Sequence, residues 1–124
     1  MASSRTLSQD EERLLEFLIQ NATVSFPPNW KADLLVKPLN DGGMGSLLLL
    51  PQGMVTESDR LFGKQVSEYQ FTDEDGIEVI ASLNVDTKGR LFEMDIWKTN
   101  FAPLRSIPPA HNLPPPPASH PSPT

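Results

Sequence analysis

The sequence predicts an α+β domain: an N-terminal helix packed on one face of a mainly antiparallel sheet of about five strands, followed by a disordered proline-rich tail. Apolar residues recur at helical spacing near the N-terminus, and apolar and polar residues alternate with period two in the segments between residues 65 and 98. From Pro103 onward proline dominates, and Pro114 to Pro117 are consecutive. We therefore predict one domain over residues 5–105 and a tail over residues 106–124.

The helix is predicted over residues 9 to 21. Ser8 and Glu11 have the spacing of a capping box, in which each side chain accepts a hydrogen bond from the other residue's backbone amide. The apolar stripe at i, i+3 and i+4 spacing consists of Leu14, Leu15, Leu18 and Ile19. This stripe is the surface that should cover the sheet.

Two short strands are predicted before the regular part of the sheet. Leu34 to Lys37 is the first, and Ser46 to Leu50 is the second, which should be buried on both faces because it shows no alternation. The segment around Met54 and Val55 could form a further short strand. Between the first two lies a glycine-rich loop formed by Asn40, Asp41, Gly42, Gly43, Met44 and Gly45.

Three strands, 65–72, 77–85 and 91–98, should form a meander whose register follows from turn chemistry. A three-residue loop ending at Gly76 sets Phe71 opposite Val79 and Tyr69 opposite Ala81. A two-residue turn at Asp75-Gly76 would move these aromatic rings to the opposite face, so we reject it. A two-residue turn at Lys88-Gly89 pairs Val85 with Phe92, Leu83 with Met94 and Ala81 with Ile96.

This register assigns every meander side chain to one of two faces. The helix-covered face should hold Tyr69, Phe71, Ile77, Val79, Ala81, Leu83, Val85, Phe92, Met94 and Ile96. Phe101 and Leu104 should then pack the chain against the domain. The opposite face should carry the rows Val66, Asn84, Glu93; Glu68, Ser82, Asp95; and Gln70, Ile80, Trp97.

An exposed tryptophan among carboxylates is typical of a protein-binding surface for a basic partner. The predicted partner-binding residues are Glu68, Ile80, Ser82, Glu93, Asp95 and Trp97. The alternative is that this is only the solvated side of the sheet, with Trp97 under the C-terminal segment. Glu68 and Asp95 would lie roughly 10 Å apart, near the wide limit for an inverting glycosidase pair, but a sheet face is not a cleft.

Composition argues against several functions. The net charge of −6, spread along the chain, disfavours nucleic acid as a partner, and no apolar run approaches a membrane span or a signal peptide. There is no cysteine, and both histidines, His111 and His120, fall in the tail. We therefore expect a cytoplasmic, non-enzymatic protein without metal or cofactor.

Two rival functions remain open. The loop residues Asn40, Asp41, Gly42, Gly43 and Gly45 could hold an anion on their amides, with Asp33 and Arg60 nearby, in a small-molecule-binding or enzymatic domain. The loop lacks the lysine and the helix of a nucleotide-binding loop. Alternatively, the domain is a scaffold that acts through its tail. The acidic residues Asp73, Glu74 and Asp75 are better explained as turn formers than as calcium ligands.

Several segments carry a family resemblance: Leu34 to Pro38, Asn40 to Leu47 (NDGGMGSL), Phe62-Gly63, Ala81 to Asp86 and Leu91 to Lys98 (LFEMDIWK). With these motifs the chain resembles a bacterial family of small domains of unknown function, over most of residues 5 to 105. The resemblance implies no activity and no catalytic residues. By analogy of size and charge, such domains are similar to immunity proteins of bacterial toxin systems.

Overall fold

The computed structural model describes residues 4–53 and 60–108. This part of the chain contains a helix, α1 (Gln9–Gln20), and five strands: β1 (Leu35–Pro38), β2 (Leu47–Leu50), β3 (Phe62–Thr72), β4 (Glu78–Asp86) and β5 (Leu91–Lys98). The strands form one antiparallel sheet in the order β1-β2-β5-β4-β3. The predicted α+β fold is confirmed. The strand predicted around Met54 and Val55 and tail residues 109–124 lie outside the described residues.

Helix α1 begins at the predicted capping box. The amide of Glu11 donates to Ser8 Oγ at 3.2 Å, and the amide of Ser8 donates to Glu11 Oε1 at 2.8 Å. Leu14, Leu15 and Leu18 are fully buried against the sheet, and burying each stabilises the fold by about 1.5–3 kcal/mol. No helix in residues 4–53 and 60–108 is long and apolar enough to cross a membrane.

The hairpin between β3 and β4 has the predicted register. The amide of Asp73 donates to the carbonyl of Ile77 at 2.9 Å, which closes a three-residue loop, and Gly76 in that loop has φ = +82°. Phe71 pairs with Val79, as predicted. In β2 the four leucines are all buried, which confirms a strand covered on both faces.

The turn between β4 and β5 differs from the prediction. The amide of Asp86 donates to the carbonyl of Arg90 at 2.9 Å, so the loop has three residues instead of two. Val85 consequently pairs with Leu91, and the prediction that Phe92 belongs to the core face is wrong. A bulge between Asn84 and Val85 absorbs the extra residue and restores the predicted pairs, beginning with Asn84 and Glu93.

A second bulge corrects the placement of Val66. Gln65 pairs with Asn84 and Ser67 pairs with Leu83, so Val66 is the extra residue on β3. Val66 is buried in the core under the helix, and its carbonyl accepts a hydrogen bond from the amide of Thr23. The exposed Gln65 takes the position that the sequence assigned to Val66.

After β5 the chain turns sharply and returns along the domain. Leu104 packs against the core as expected. Phe101 does not: it is 69 % exposed, and the prediction that it packs against the domain is wrong. Its amide donates to the carbonyl of Lys98 at 2.7 Å, and its φ of +63° shows that the reversal is completed at this residue.

Candidate functional site

The six predicted partner-binding residues share the face of the sheet opposite α1. Glu68 pairs with Ser82, Ser82 pairs with Asp95, and Ile80 pairs with Trp97. Glu93 precedes Asp95 by two positions on β5 and pairs with Asn84. The structure therefore brings the predicted residues together. We call this surface, with Phe101, the aromatic–acidic face: Glu68, Ile80, Ser82, Glu93, Asp95, Trp97 and Phe101.

Glu93 and Asp95 form a partly buried carboxyl pair on β5. Asn84, which is buried, donates from Nδ2 to Asp95 Oδ2 at 2.6 Å. Burial and then the charge of Asp95 raise the pKa of Glu93 to about 7, although Arg60 opposes the shift. Burial also raises the pKa of Asp95. The pair therefore takes up or releases a proton near neutral pH.

An aromatic pair adjoins these carboxyls. Trp97 is 44 % exposed, and its ring centroid lies 6.2 Å from that of Phe101. A positive φ is uncommon for a bulky residue, so the surrounding structure must hold Phe101 in its conformation. The alternation along β5 predicted that Trp97 lies on the outer face. For Phe101 the sequence offered only the turn formers Thr99 and Asn100, which indicate the chain reversal that exposes its ring.

The glycine-rich loop is closed by its own carboxylate. Asp41 accepts hydrogen bonds from the amides of Met44 at 3.1 Å and Ser46 at 2.9 Å. Burial alone would raise the pKa of Asp41, but these hydrogen bonds outweigh it and lower the pKa. The carbonyl of Gly43 accepts from the amide of Leu104, so the loop also holds the C-terminal segment. Asp41 therefore occupies the amides of Met44 and Ser46, which are no longer free for an anion in this loop.

The two charged residues predicted to lie near this loop are elsewhere. Arg60 is buried between β2 and β5, where its guanidinium donates to the carbonyls of Leu49 and Leu91 and to Asp86. It also lies over the ring of Phe92, 5.0 Å from the centroid. Asp33 lines a cavity of about 580 Å³ whose described lining includes none of residues 40–46.

The acidic turn between β3 and β4 forms ion pairs with Lys98 of the same chain. Lys98 is fully buried, and its Nζ lies 2.8 Å from Asp73 Oδ2 and 2.6 Å from Asp75 Oδ2. Asp73 also accepts hydrogen bonds from the amides of Arg105 and Ser106, which fixes the C-terminal segment. The sequence analysis did not predict this ion pair, but Lys98 follows Ile96 by two positions and pairs with Val79, so the alternation of β5 was the signal that could have placed it on the core face. Among the described residues, no cluster of three acidic or histidine side chains could hold a metal ion.

Comparison with known proteins gives a family and no function. A family model described as a domain of unknown function (DUF6984) matches residues 4–108. No curated protein and no solved structure gave a significant match. The match covers most of the chain and includes all five strands and the helix. The chain therefore belongs to the DUF6984 family of domains of unknown function.

Proposed function

We propose that this domain is a non-enzymatic, protein-binding module that engages a basic partner through the aromatic–acidic face. The observation that carries the proposal is the exposed pair of Trp97 and Phe101 on the face of the sheet that also carries Asp95, two positions before Trp97 on β5, and Glu93. An immunity-type inhibitor of a bacterial toxin is the specific form of this function that we favour. It fits a small acidic domain whose partner carries a cationic site.

The aromatic pair supplies the binding energy in this proposal. Large rings that pass from water into an interface contribute most of its affinity, and tryptophan is among the commonest hot-spot residues. Phe101 has a positive φ, which is unfavourable for a bulky residue, and its ring remains in solvent. Burial of the ring within the domain therefore does not offset the cost of this backbone conformation. A partner surface that covers Trp97 and Phe101 would supply that burial.

The carboxyl pair supplies the charge preference. A lysine or arginine of the partner placed near Glu93 and Asp95 would favour their ionised forms and release the proton that this pair holds near neutral pH. Binding should therefore strengthen as the pH rises from about 6 to 8. A neutral, apolar partner would show no such dependence.

A pull-down from a lysate of the source organism, with the full chain as bait, would identify the partner. Trp97→Ala and Asp95→Lys should each abolish recovery, and once the partner is purified, Trp97→Ala should weaken binding by about 2 kcal/mol, or roughly 30-fold. Phe62→Ala and Glu74→Lys are matched controls, since both residues are exposed and neither belongs to the aromatic–acidic face. Equal recovery with all four variants would exclude this face.

A carboxyl with a pKa near 7 beside a second carboxyl is also a pattern of acid–base enzymes. Here the pair is partly buried, and neither Glu93 nor Asp95 is among the described residues that line the cavity. We therefore favour binding over catalysis. The scaffold alternative concerns the tail, and its test is a deletion that begins after Pro108, because Ile107 packs against the core.

A further inference from the structure

A second region of the domain has the properties of a small-molecule site. A cavity of about 580 Å³ lies between the segment 26–33, the turn at Pro51-Gln52 and the hairpin that joins β4 to β5. This volume is within the range of ligand pockets, about 300–1,000 Å³. Phe26, Trp30 and Leu91 supply apolar lining.

The backbone around this cavity is unusual. In residues 4–53 and 60–108, three residues other than glycine have a φ in the left-handed region, and two of them, Asp33 and Gln52, line the cavity. Gln52 lies inside a short 3-10 turn and has φ = +59°. Such conformations persist where the surrounding structure fixes them, and they cluster at ligand sites.

The cavity also contains a fixed positive charge. Arg90 lines it, and Arg90 Nε donates to Asp86 Oδ2 at 2.9 Å, which orients the guanidinium. Asp86 is shared with the buried Arg60, so two guanidinium groups face one carboxylate. Among the described residues, none accepts a hydrogen bond from the terminal nitrogens of Arg90.

We propose that this cavity binds a small carboxylic acid with a flat apolar body, whose carboxylate pairs with Arg90 and whose body lies between Phe26 and Trp30. An arginine in a mostly apolar pocket is the arrangement that selects such an acid, because its fork of N–H donors matches a carboxylate. Asp33, which is exposed in the lining, disfavours ligands with a second negative charge. The inference does not depend on the function proposed for the aromatic–acidic face.

The test is a titration of the full chain with phenylacetate, followed by ¹H–¹⁵N correlation NMR, with phenylacetamide as the neutral probe of the same shape. Phenylacetate should give saturable shifts at the indole N–H of Trp30 and at the amides of residues 89–91. Phenylacetamide should bind at least about tenfold more weakly. The indole signal is assigned with Trp97→Phe.

Two variants and a matched control complete the experiment. Arg90→Gln should weaken phenylacetate binding at least tenfold, whereas Arg13→Gln should leave it unchanged, since Arg13 is an equally exposed arginine paired with an acidic residue on α1. Ala32→Phe fills the cavity and should abolish binding even if Arg90→Gln fails to fold. The proposal is overturned if phenylacetate gives no saturable shift at 10 mM, if the amide binds as well as the acid, or if Ala32→Phe binds normally.

Discussion

Replacing Arg60 by methionine tests how the sheet is held together at its centre. The ladder between β2 and β5 has two residue pairs, Leu47 with Met94 and Leu48 with Glu93. Beyond these pairs the guanidinium of Arg60 inserts between the strands and donates to the carbonyls of Leu49 and Leu91. Arg60 therefore substitutes for backbone hydrogen bonds that the strands do not make with each other.

The expected magnitude follows from what the substitution leaves behind. Arg60→Met keeps the apolar stem but leaves two buried carbonyls without a donor, at about 1–3 kcal/mol each. Asp86 loses one charged partner, although it keeps Arg90 and the amides of Lys88 and Arg90. We expect a loss of about 3–5 kcal/mol, the range for breaking a buried ion pair.

Arg90→Met is the matched control because Arg90 pairs with the same carboxylate. The side chain of Arg90 is 39 % exposed, whereas that of Arg60 is 2 % exposed. Water can replace Asp86 as a partner of Arg90, and Asp86 keeps Arg60 and the amide of Lys88, so Arg90→Met should cost about 1 kcal/mol. Urea unfolding, followed by circular dichroism, gives the free energy of unfolding of both variants, analysed with a common dependence on urea concentration. A difference of less than 1 kcal/mol between them would refute the role assigned to Arg60.

Three further predictions concern single positions. Burial raises the pKa of Glu93 from 4.5 to about 7, so the folded state loses stability as the pH rises through this interval, and Glu93→Gln should be more stable than wild type in urea at pH 8 but not at pH 4. Gly63→Ala should destabilise the domain by about 3 kcal/mol, because the added Cβ would overlap the carbonyl of Asp86. Gly42→Ala should cost about 1 kcal/mol, because Gly42 has open space around it but a φ of +76°. Equal urea midpoints for these two variants would contradict the prediction. Phe101→Gly should raise the free energy of unfolding by about 1 kcal/mol while it weakens partner binding, and a less stable variant would show that the backbone at this residue is unstrained.

The sequence was most informative where short-range rules act. The capping box, the helical stripe and the loop ending at Gly76 each depend on neighbouring residues, and all three appear as predicted. The face that carries Glu93, Asp95 and Trp97 followed from the same alternation. It survived an incorrect turn length because a bulge at Asn84 and Val85 compensates for the extra loop residue.

The features that the sequence did not predict depend on contacts between distant segments. The bulge at Val66 is stabilised by burial under the helix and by the amide of Thr23, more than forty positions away in the chain. Arg60 contacts the carbonyl of Leu49, which lies 11 positions earlier in the chain, and the carbonyl of Leu91, which lies 31 positions later. No local pattern distinguishes such an arginine from a surface arginine, and the cavity arises from three segments whose proximity is set only by the complete fold.

The enclosed ammonium of Lys98 has a practical consequence for chemical labelling. Reductive methylation requires an accessible amine, so in the native domain Lys31, Lys64 and Lys88, which are exposed, would react while Lys98 would not. Modification at Lys98 therefore reports the release of the segment that passes through Pro103, whose carbonyl accepts from the same Nζ at 3.2 Å.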